Sequence, residues 1–186
     1  SSQNVAIGSH TLSNYSAAGN IVAVGFRALD SLTTGTRATA VGYRTLAQNT
    51  SGDRNTAIGY RSLDSNKTGN YNVGVGYASL FRNIASFNTA IGDGAAFNTT
   101  TGGDNTVVGS NAFFATATGG YNTVMGTNSM YNSNTSGAQN NAYGYQSLFS
   151  NSTGINNVAL GLQALYRNDS GHNNVAVGNF TLFNHR

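Results

Sequence analysis

The chain repeats one short unit from end to end. A representative copy reads Asn55-Thr56-Ala57-Ile58-Gly59-Tyr60-Arg61-Ser62-Leu63 and closes on Thr68-Gly69. Its first glycine, called the core glycine below, recurs at Gly8, Gly25, Gly42, Gly59, Gly76, Gly92, Gly109, Gly126, Gly144, Gly161 and Gly178. Successive core glycines lie 17 residues apart, except for one step of 16 from Gly76 to Gly92 and one of 18. A fixed short period is typical of a solenoid, in which each unit buries its apolar face only against its neighbours.

Four columns appear when the copies are aligned on the core glycine. The residue four before it is Asn in nine of eleven copies, and Ile21 and Ala38 are the exceptions (the Asn column). The residue two before it is small and nearly always Ala (the Ala column), and the residue one before it is always apolar (the aliphatic column). The residue four after it is Leu, Phe, Met or Ala (the Leu column). A second glycine follows about ten residues after the core glycine in most copies.

The unit predicts short strands joined by glycine turns. Segments such as Asn-Thr-Ala-Ile-Gly are rich in β-branched residues and too short for a helix. Glycines stand where the chain must turn, and the Asn column can stack on itself from coil to coil. We therefore predict an all-β fold, a parallel β-solenoid (β-roll) of about eleven 17-residue coils in a single domain, residues 1–186. At about 4.8 Å per coil the rod is roughly 50 Å long.

Strand side chains alternate between two faces, so the Ala column and the aliphatic column point in opposite directions. One column fills the coil, and the other is free to pack between subunits. We expect the aliphatic column inside. We also expect the Leu column to be core, with members Leu12, Leu29, Leu46, Leu63, Leu80, Leu148, Leu165 and Leu182.

The composition offers little catalytic chemistry. Only 8% of residues are charged, and Glu, Cys and Pro are absent. The six Asp are scattered over different repeat positions, and His10, His172 and His185 lack metal-ligand spacing. We interpret Gly102-Gly103-Asp104 as a turn and expect no enzyme activity, cofactor or metal. The net charge of +3 is too small to indicate nucleic-acid binding, and no segment is typical of membrane insertion.

Two aromatic columns divide the chain into halves of different surface chemistry. An aromatic-basic pair directly follows the core glycine in the amino-terminal copies and defines a candidate ligand face: Phe26, Arg27, Tyr43, Arg44, Tyr60, Arg61 and Tyr77. Aromatic-flanked arginines suit a sugar or an anion, while a simple solvated charged face is the alternative. Stacked arginines repel, and Asp30 and Asp64 are placed to offset them.

The second aromatic column stands five residues after the core glycine and starts at the short copy. Its members are Phe81, Phe97, Phe114, Tyr131, Phe149, Tyr166 and Phe183. Seven aromatic side chains form too large an apolar patch to leave in water. They either make a second internal ladder or form the contact between subunits, and we favour the subunit contact.

Eight Asn-x-Ser/Thr triplets, the acceptor motif for N-glycosylation, occur in the chain. They begin at Asn14, Asn49, Asn66, Asn98, Asn134, Asn151, Asn168 and Asn179. In a chain so rich in Asn, Ser and Thr many such triplets arise from composition alone, so we expect few of them to be glycosylated.

The repeat resembles the head repeats of trimeric autotransporter adhesins, as in Asn4-Val5-Ala6-Ile7-Gly8 and Asn174-Val175-Ala176-Val177-Gly178. The longer 17-residue unit is similar to repeats of phage and virus tail-fibre proteins. The resemblance implies a left-handed parallel β-roll and a homotrimer whose axis runs along the fibre. It also implies an extracellular location on a cell or virion surface. Both chain ends fall inside a repeat, so we expect a fragment of a longer fibre.

Three functions are compatible with these features. The first is an attachment or adhesion fibre whose partner is a host-surface glycan or matrix protein. The second is a purely structural spacer. The third is an ice-binding solenoid, which requires a regular Thr face. Here the column Thr39, Thr56, Thr89, Thr106, Thr123 is interrupted by Val73 and followed by Asn141, so we expect no thermal hysteresis.

Overall fold

A computed structural model describes residues 3–16, 19–116, 118–133 and 136–185. These residues contain strands and turns and no helix. The prediction of a parallel β-solenoid is confirmed, because eleven strands form one parallel sheet in chain order. They are β1 (Asn4–Ile7), β2 (Ile21–Val24), β3 (Thr39–Val41), β4 (Thr56–Ile58), β5 (Val73–Val75), β6 (Thr89–Ile91), β7 (Thr106–Val108), β8 (Thr123–Met125), β9 (Asn141–Tyr143), β10 (Val158–Leu160) and β12 (Val175–Val177). A second, two-stranded parallel sheet pairs β11 (Arg167–Asn168) with β13 (Asn184–His185).

Every coil stacks on the next in register. Ala40 lies opposite Ala57, and Ala57 opposite Gly74, so each repeat position forms a column along the rod. The turns continue the stacking with backbone hydrogen bonds, such as Leu46 N–H to the carbonyl of Ser62 at 3.1 Å. Sequence columns therefore become physical columns one strand spacing apart.

Each strand of the eleven-stranded sheet ends one residue before a core glycine, whose φ lies between 116° and 137°. From Gly8 to Gly161, a Cβ on this residue would approach the backbone of the next core glycine closer than 3.0 Å. Only glycine combines that φ with so close an approach. This explains why the column has no exception.

The turn after the core glycine uses left-handed backbone at non-glycine residues. The second and fourth residues after it have φ near 50°, as in Arg61 (54°) and Leu63 (53°). From Arg37 to Asn173 the fifth residue before it does the same, as in Tyr71 (57°). Among the residues that the structure describes, no Val, Ile or Thr has a positive φ, in keeping with the cost of this conformation for β-branched side chains.

The solenoid interior is formed by the Ala column and the Leu column. Ala40, Ala57 and Ala90 are fully buried, as are Leu29, Leu46, Leu63, Leu80, Leu148 and Leu165. The prediction of a Leu core is confirmed in these coils, whereas Leu12 is partly buried and Leu182 is 45% exposed.

The expectation that the aliphatic column lies inside is wrong. Ile58 and Ile91 are exposed by 40% and 42%, and the whole column is exposed or half-buried on the outer face of the sheet. The interior is narrow because the coil is a single short strand opposed by tight turns. The alternating pattern therefore places the smaller residue inside. We call the exposed column the aliphatic stripe: Ile7, Val24, Val41, Ile58, Val75, Ile91, Val108, Met125, Tyr143, Leu160 and Val177.

The Asn column forms the predicted ladder and is buried from Asn55 to Asn157. The Asn72 N–H donates to Oδ1 of Asn55 at 2.9 Å, and the Asn55 amide Nδ2 donates to the carbonyl of Gly69 at 2.8 Å. The pattern repeats to Asn174. Each side chain satisfies one backbone donor and one backbone acceptor, so a polar column is stable inside the rod. At the amino-terminal end Ile21 and Ala38 replace Asn, and buried Leu32 packs in the same core cluster.

Four of the Asn-x-Ser/Thr asparagines are fully buried: Asn49, Asn66, Asn151 and Asn168. In the folded coil the acceptor amides of these four residues are inaccessible. Asn14 and Asn179 are exposed and Asn98 is half-buried. Asn134 lies outside the described residues.

Candidate functional site

The four aromatic residues of the candidate ligand face form one continuous stack, called the Tyr ladder below. The centroids of Phe26 and Tyr43 are 5.5 Å apart, and the next two steps, to Tyr60 and Tyr77, are 5.1 Å each. The planes of adjacent rings differ by 4–16°, and all four residues are exposed. The ladder forms because each residue directly follows a core glycine, so one strand spacing separates the rings.

Stacking restricts what the Tyr ladder presents to a ligand. Each interior ring has both faces covered by its neighbours, and His10 packs edge-on against Phe26. The exposed parts are ring edges, the phenol hydroxyls and the outer face of Tyr77, whose column continues with Asp93. The ladder is thus a ridge for edge contacts and hydrogen bonds along the rod axis.

The three arginines beside the ladder are paired with carboxylates. Arg27 contacts Asp30 at 2.8 Å, while Arg44 and Arg61 contact the same fully buried Asp64 at 3.3 and 2.6 Å. The expectation that Asp30 and Asp64 offset the stacked arginines is confirmed. The hydrogen bond to Asp64 raises the pKa of Arg61 above its ordinary value, although burial opposes the shift. These ion pairs stabilise the ridge and leave little free positive charge to attract an anion.

The second aromatic column is also a continuous stack. Ring centroids from Phe81 to Phe183 are 4.9–5.5 Å apart, and every ring is half-buried. The Arg61 guanidinium lies 4.6 Å from the centroid of Phe81 and so connects this column to the Tyr ladder. The rings cover much of one another, which leaves less apolar surface than seven isolated aromatic residues would expose.

A further column, six residues before the core glycine, forms a second polar ladder. The Thr36 N–H donates to Asp53 Oδ1 at 3.0 Å, the Asp53 N–H to Asn70 Oδ1 at 2.7 Å, and the Asn70 N–H to Ser86 Oγ at 2.9 Å. Burial disfavours the charge of Asp53. The hydrogen bonds from Thr36, with the charges of Arg54 and Arg37, nevertheless lower the pKa of Asp53 below its ordinary value.

Sequence reasoning missed the aromatic residues five positions before the core glycine. Tyr71 and Phe87 stack at 5.0 Å, Arg54 lies over Tyr71, and Tyr121 stands two coils beyond Phe87. Aligning this position across the copies would have revealed them. The segment Gly102-Gly103-Asp104, which the sequence predicts to be a turn, bends at Asp104, where the backbone is left-handed with φ of 60°.

Among the described residues, no three or more His or Asp side chains lie close enough together to hold a metal ion. The same part of the chain has no helix that could cross a membrane. Comparison with family models, with curated proteins and with solved structures found no match.

Proposed function

We propose that the chain is part of an extracellular attachment fibre, located on a cell or virion surface, and that it acts by binding rather than by catalysis. The observation that carries the proposal is the Tyr ladder, four exposed aromatic rings aligned along a regular parallel solenoid. A rod holds these rings in a fixed row without a folded pocket. Their partner would be a host-surface glycan or a matrix protein.

The ridge supports an extended partner. Phenol hydroxyls one coil apart can exchange hydrogen bonds with successive groups of a linear glycan or peptide, and the ring edges supply apolar contact. Since the nearby arginines are paired with Asp30 and Asp64, recognition depends on hydroxyl and apolar groups rather than on negative charge. Binding should therefore depend only weakly on salt.

Assembly into a homotrimer is the second part of the proposal. A single chain leaves the aliphatic stripe on its outer surface. A contiguous apolar row of this length is typical of a protein contact surface. Packing three copies around a common axis would cover three such stripes.

A structural spacer is the second candidate, and the internal pairing of the ladder favours it. Rings stacked on rings and arginines paired with aspartates stabilise the rod without any partner. A spacer and an attachment segment would share the fold and differ only in binding.

Binding of the whole chain to a glycan array and to host cells separates the two. The variant Tyr43→Ser with Tyr60→Ser removes the middle of the ladder, and we expect it to lower binding by about tenfold or more. Tyr145→Ser is the matched control, since Tyr145 also follows a core glycine and is 48% exposed but stands outside the ladder. Absence of binding by the unmodified chain would favour the spacer, and equal binding by both variants would show that the Tyr ladder is not the binding surface.

A further inference from the structure

A groove lies in the loops that precede strands β6 to β9, away from the residues of the Tyr ladder. Its volume is about 440 Å³, within the range of small-ligand sites. It adjoins the one coil that is shortened to 16 residues, where the loop from Asn83 to Asn88 has one residue fewer than the loop from Asn66 to Asn72. Residues of four consecutive coils line it.

Two aromatic side chains border the groove. Phe87 and Tyr121 are 55% and 67% exposed and occupy the same repeat position two coils apart. Between them in the column stands Asp104, whose shorter side chain leaves a gap. Two coil steps of about 4.8 Å each place the backbones of Phe87 and Tyr121 about 10 Å apart along the rod. This separation admits one saturated six-membered ring with a ring face on each side.

The floor of the groove is the place where the second polar ladder stops. In the coils before it, each backbone N–H of the column donates to a side chain of the next coil, ending with Asn70 N–H to Ser86 Oγ. The next two positions are Gly103 and Gly120, which have no side chain to accept. Within the described part of the chain, the N–H groups of Ser86 and Gly103 find no acceptor. Both residues line the groove.

The groove also contains an acceptor. The Asp104 side chain forms no ion pair with any described residue, and the residue is exposed. A ligand that fits all these groups must accept hydrogen bonds from two backbone N–H groups and donate to a carboxylate. It must also offer apolar faces to two rings. Sugar hydroxyls both donate and accept, and the C–H faces of a pyranose are apolar.

We propose that this groove binds a neutral hexopyranose unit of a glycan, held between Phe87 and Tyr121. A quaternary ammonium would suit the rings and the carboxylate but cannot accept from the N–H groups. An anion would accept from them but is repelled by Asp104. The site is separate from the Tyr ladder and does not depend on it, so it goes beyond the proposed function: the groove would bind a sugar even if the Tyr ladder binds nothing.

The test uses the full chain and saturation-transfer NMR with millimolar methyl glucopyranoside, methyl galactopyranoside, methyl mannopyranoside and N-acetylglucosamine. Tetramethylammonium and sulfate serve as the competing chemistries. We expect saturation transfer to at least one sugar. In amide spectra of the protein, the same sugar should shift the signals of Ser86 and Gly103. Tyr121→Ala should weaken this binding by about tenfold, and Tyr145→Ala, an exposed tyrosine elsewhere, should not.

A second variant, Gly103→Asn, extends the second polar ladder into the groove and leaves the aromatic residues Phe87 and Tyr121 in place. Its Cβ would lie 3.0 Å from the Ser86 carbonyl oxygen, so a small backbone shift admits it, and its amide oxygen can accept from Ser86 N–H as Asn70 does from Asp53. We expect slower hydrogen exchange at Ser86 together with loss of sugar binding.

Three results would overturn the groove proposal: no sugar signal with the unmodified chain, sugar binding unchanged in both groove variants, or binding of tetramethylammonium or sulfate in place of the sugars. A negative glycan array with a positive groove signal would reject the attachment proposal alone. The reverse pattern would reject the groove alone.

Discussion

At the residue scale, the most demanding feature is the left-handed backbone at the buried Leu column. Leu63 has φ of 53° and no exposed surface. A non-glycine residue in this region costs free energy, and a β-branched residue costs more because its second γ-carbon crowds the backbone. The column must therefore combine apolar character with an unbranched Cβ, which Leu, Met, Phe and Ala satisfy.

Exchanging Leu for Ile separates backbone strain from hydrophobicity. We expect Leu63→Ile to lower the free energy of unfolding by about 2–4 kcal/mol, as the sum of branching strain and repacking. Leu32→Ile is the control, because Leu32 is equally buried but is not among the residues with positive φ. It should cost less than about 1.5 kcal/mol. Equal losses in urea unfolding would show that the conformation of Leu63 is unimportant.

The orientation of the strands shows what the sequence can and cannot predict at this scale. The alternation of Ala and Ile was visible, and it established that the two columns face opposite sides. Which column faces inward depends on how the turns close the coil, and these turns use left-handed backbone at residues such as Leu63 and Arg61. The sequence does not indicate which Arg or Leu residues have a positive φ. The expectation that the aliphatic column lies inside, based on hydrophobicity alone, was therefore wrong.

At the element scale, the Asn ladder gives each turn its polar connection to the next. Asn105 donates from Nδ2 to Asn88 Oδ1 and to the Gly119 carbonyl, both at 3.0 Å. Its Oδ1 accepts from the Asn122 N–H at 2.9 Å. The strict period of Asn made this ladder predictable, because one side chain per coil at one position can only stack.

Removing the side chain of one Asn in this ladder should therefore lower the free energy of unfolding. Asn105→Ala leaves the Asn122 N–H and the Gly119 carbonyl without their buried partner, and we expect a loss of about 2–4 kcal/mol. Hydrogen exchange should show the loss concentrated in the neighbouring coils, since a solenoid is stabilised by nearest-neighbour contacts.

Asn49 provides a matched comparison for Asn105. It is buried, but neither Nδ2 nor Oδ1 forms a hydrogen bond, and the preceding coil has Leu32 at the same repeat position. Asn49→Leu should be neutral or stabilising, because it replaces an unpaired polar group with an apolar one of similar size. A loss as large as that of Asn105→Ala would contradict the assignment of the energy to the hydrogen bonds.

At the scale of the whole molecule, the two candidate sites differ in how far the sequence predicts them. The Tyr ladder follows directly from a column of aromatic residues in the sequence. Its ion pairs follow from the arginines of the neighbouring column and from Asp30 and Asp64. The groove depends on absences: a missing loop residue near Ala85, and two glycines, Gly103 and Gly120, that follow four successive polar residues from Thr36 to Ser86 in one column. The two glycines become informative only in the structure, where the preceding coils show that side chains at this position accept hydrogen bonds from backbone N–H groups.

The proposed homotrimer can be tested by comparing two surfaces. From the sequence we expect the second aromatic column to be the subunit contact, but in the structure its half-buried rings cover one another. The aliphatic stripe leaves more apolar surface exposed, with Ile58 at 40% and Ile91 at 42%, and is now the stronger candidate. Strand side chains on the outer face can be replaced without disturbing the interior.

We expect the double variant Ile58→Asp with Ile91→Asp to be monomeric by light scattering at micromolar concentration, with the far-ultraviolet circular dichroism of the unmodified chain. Placing two carboxylates per subunit at a desolvated contact is strongly unfavourable. The comparison variant, Phe114→Ser with Phe149→Ser, should remain trimeric but unfold more easily, because it breaks the stack in two places. If the aromatic variant dissociates and the aspartate variant does not, the aromatic column is the subunit contact. A monomeric unmodified chain would reject the trimer.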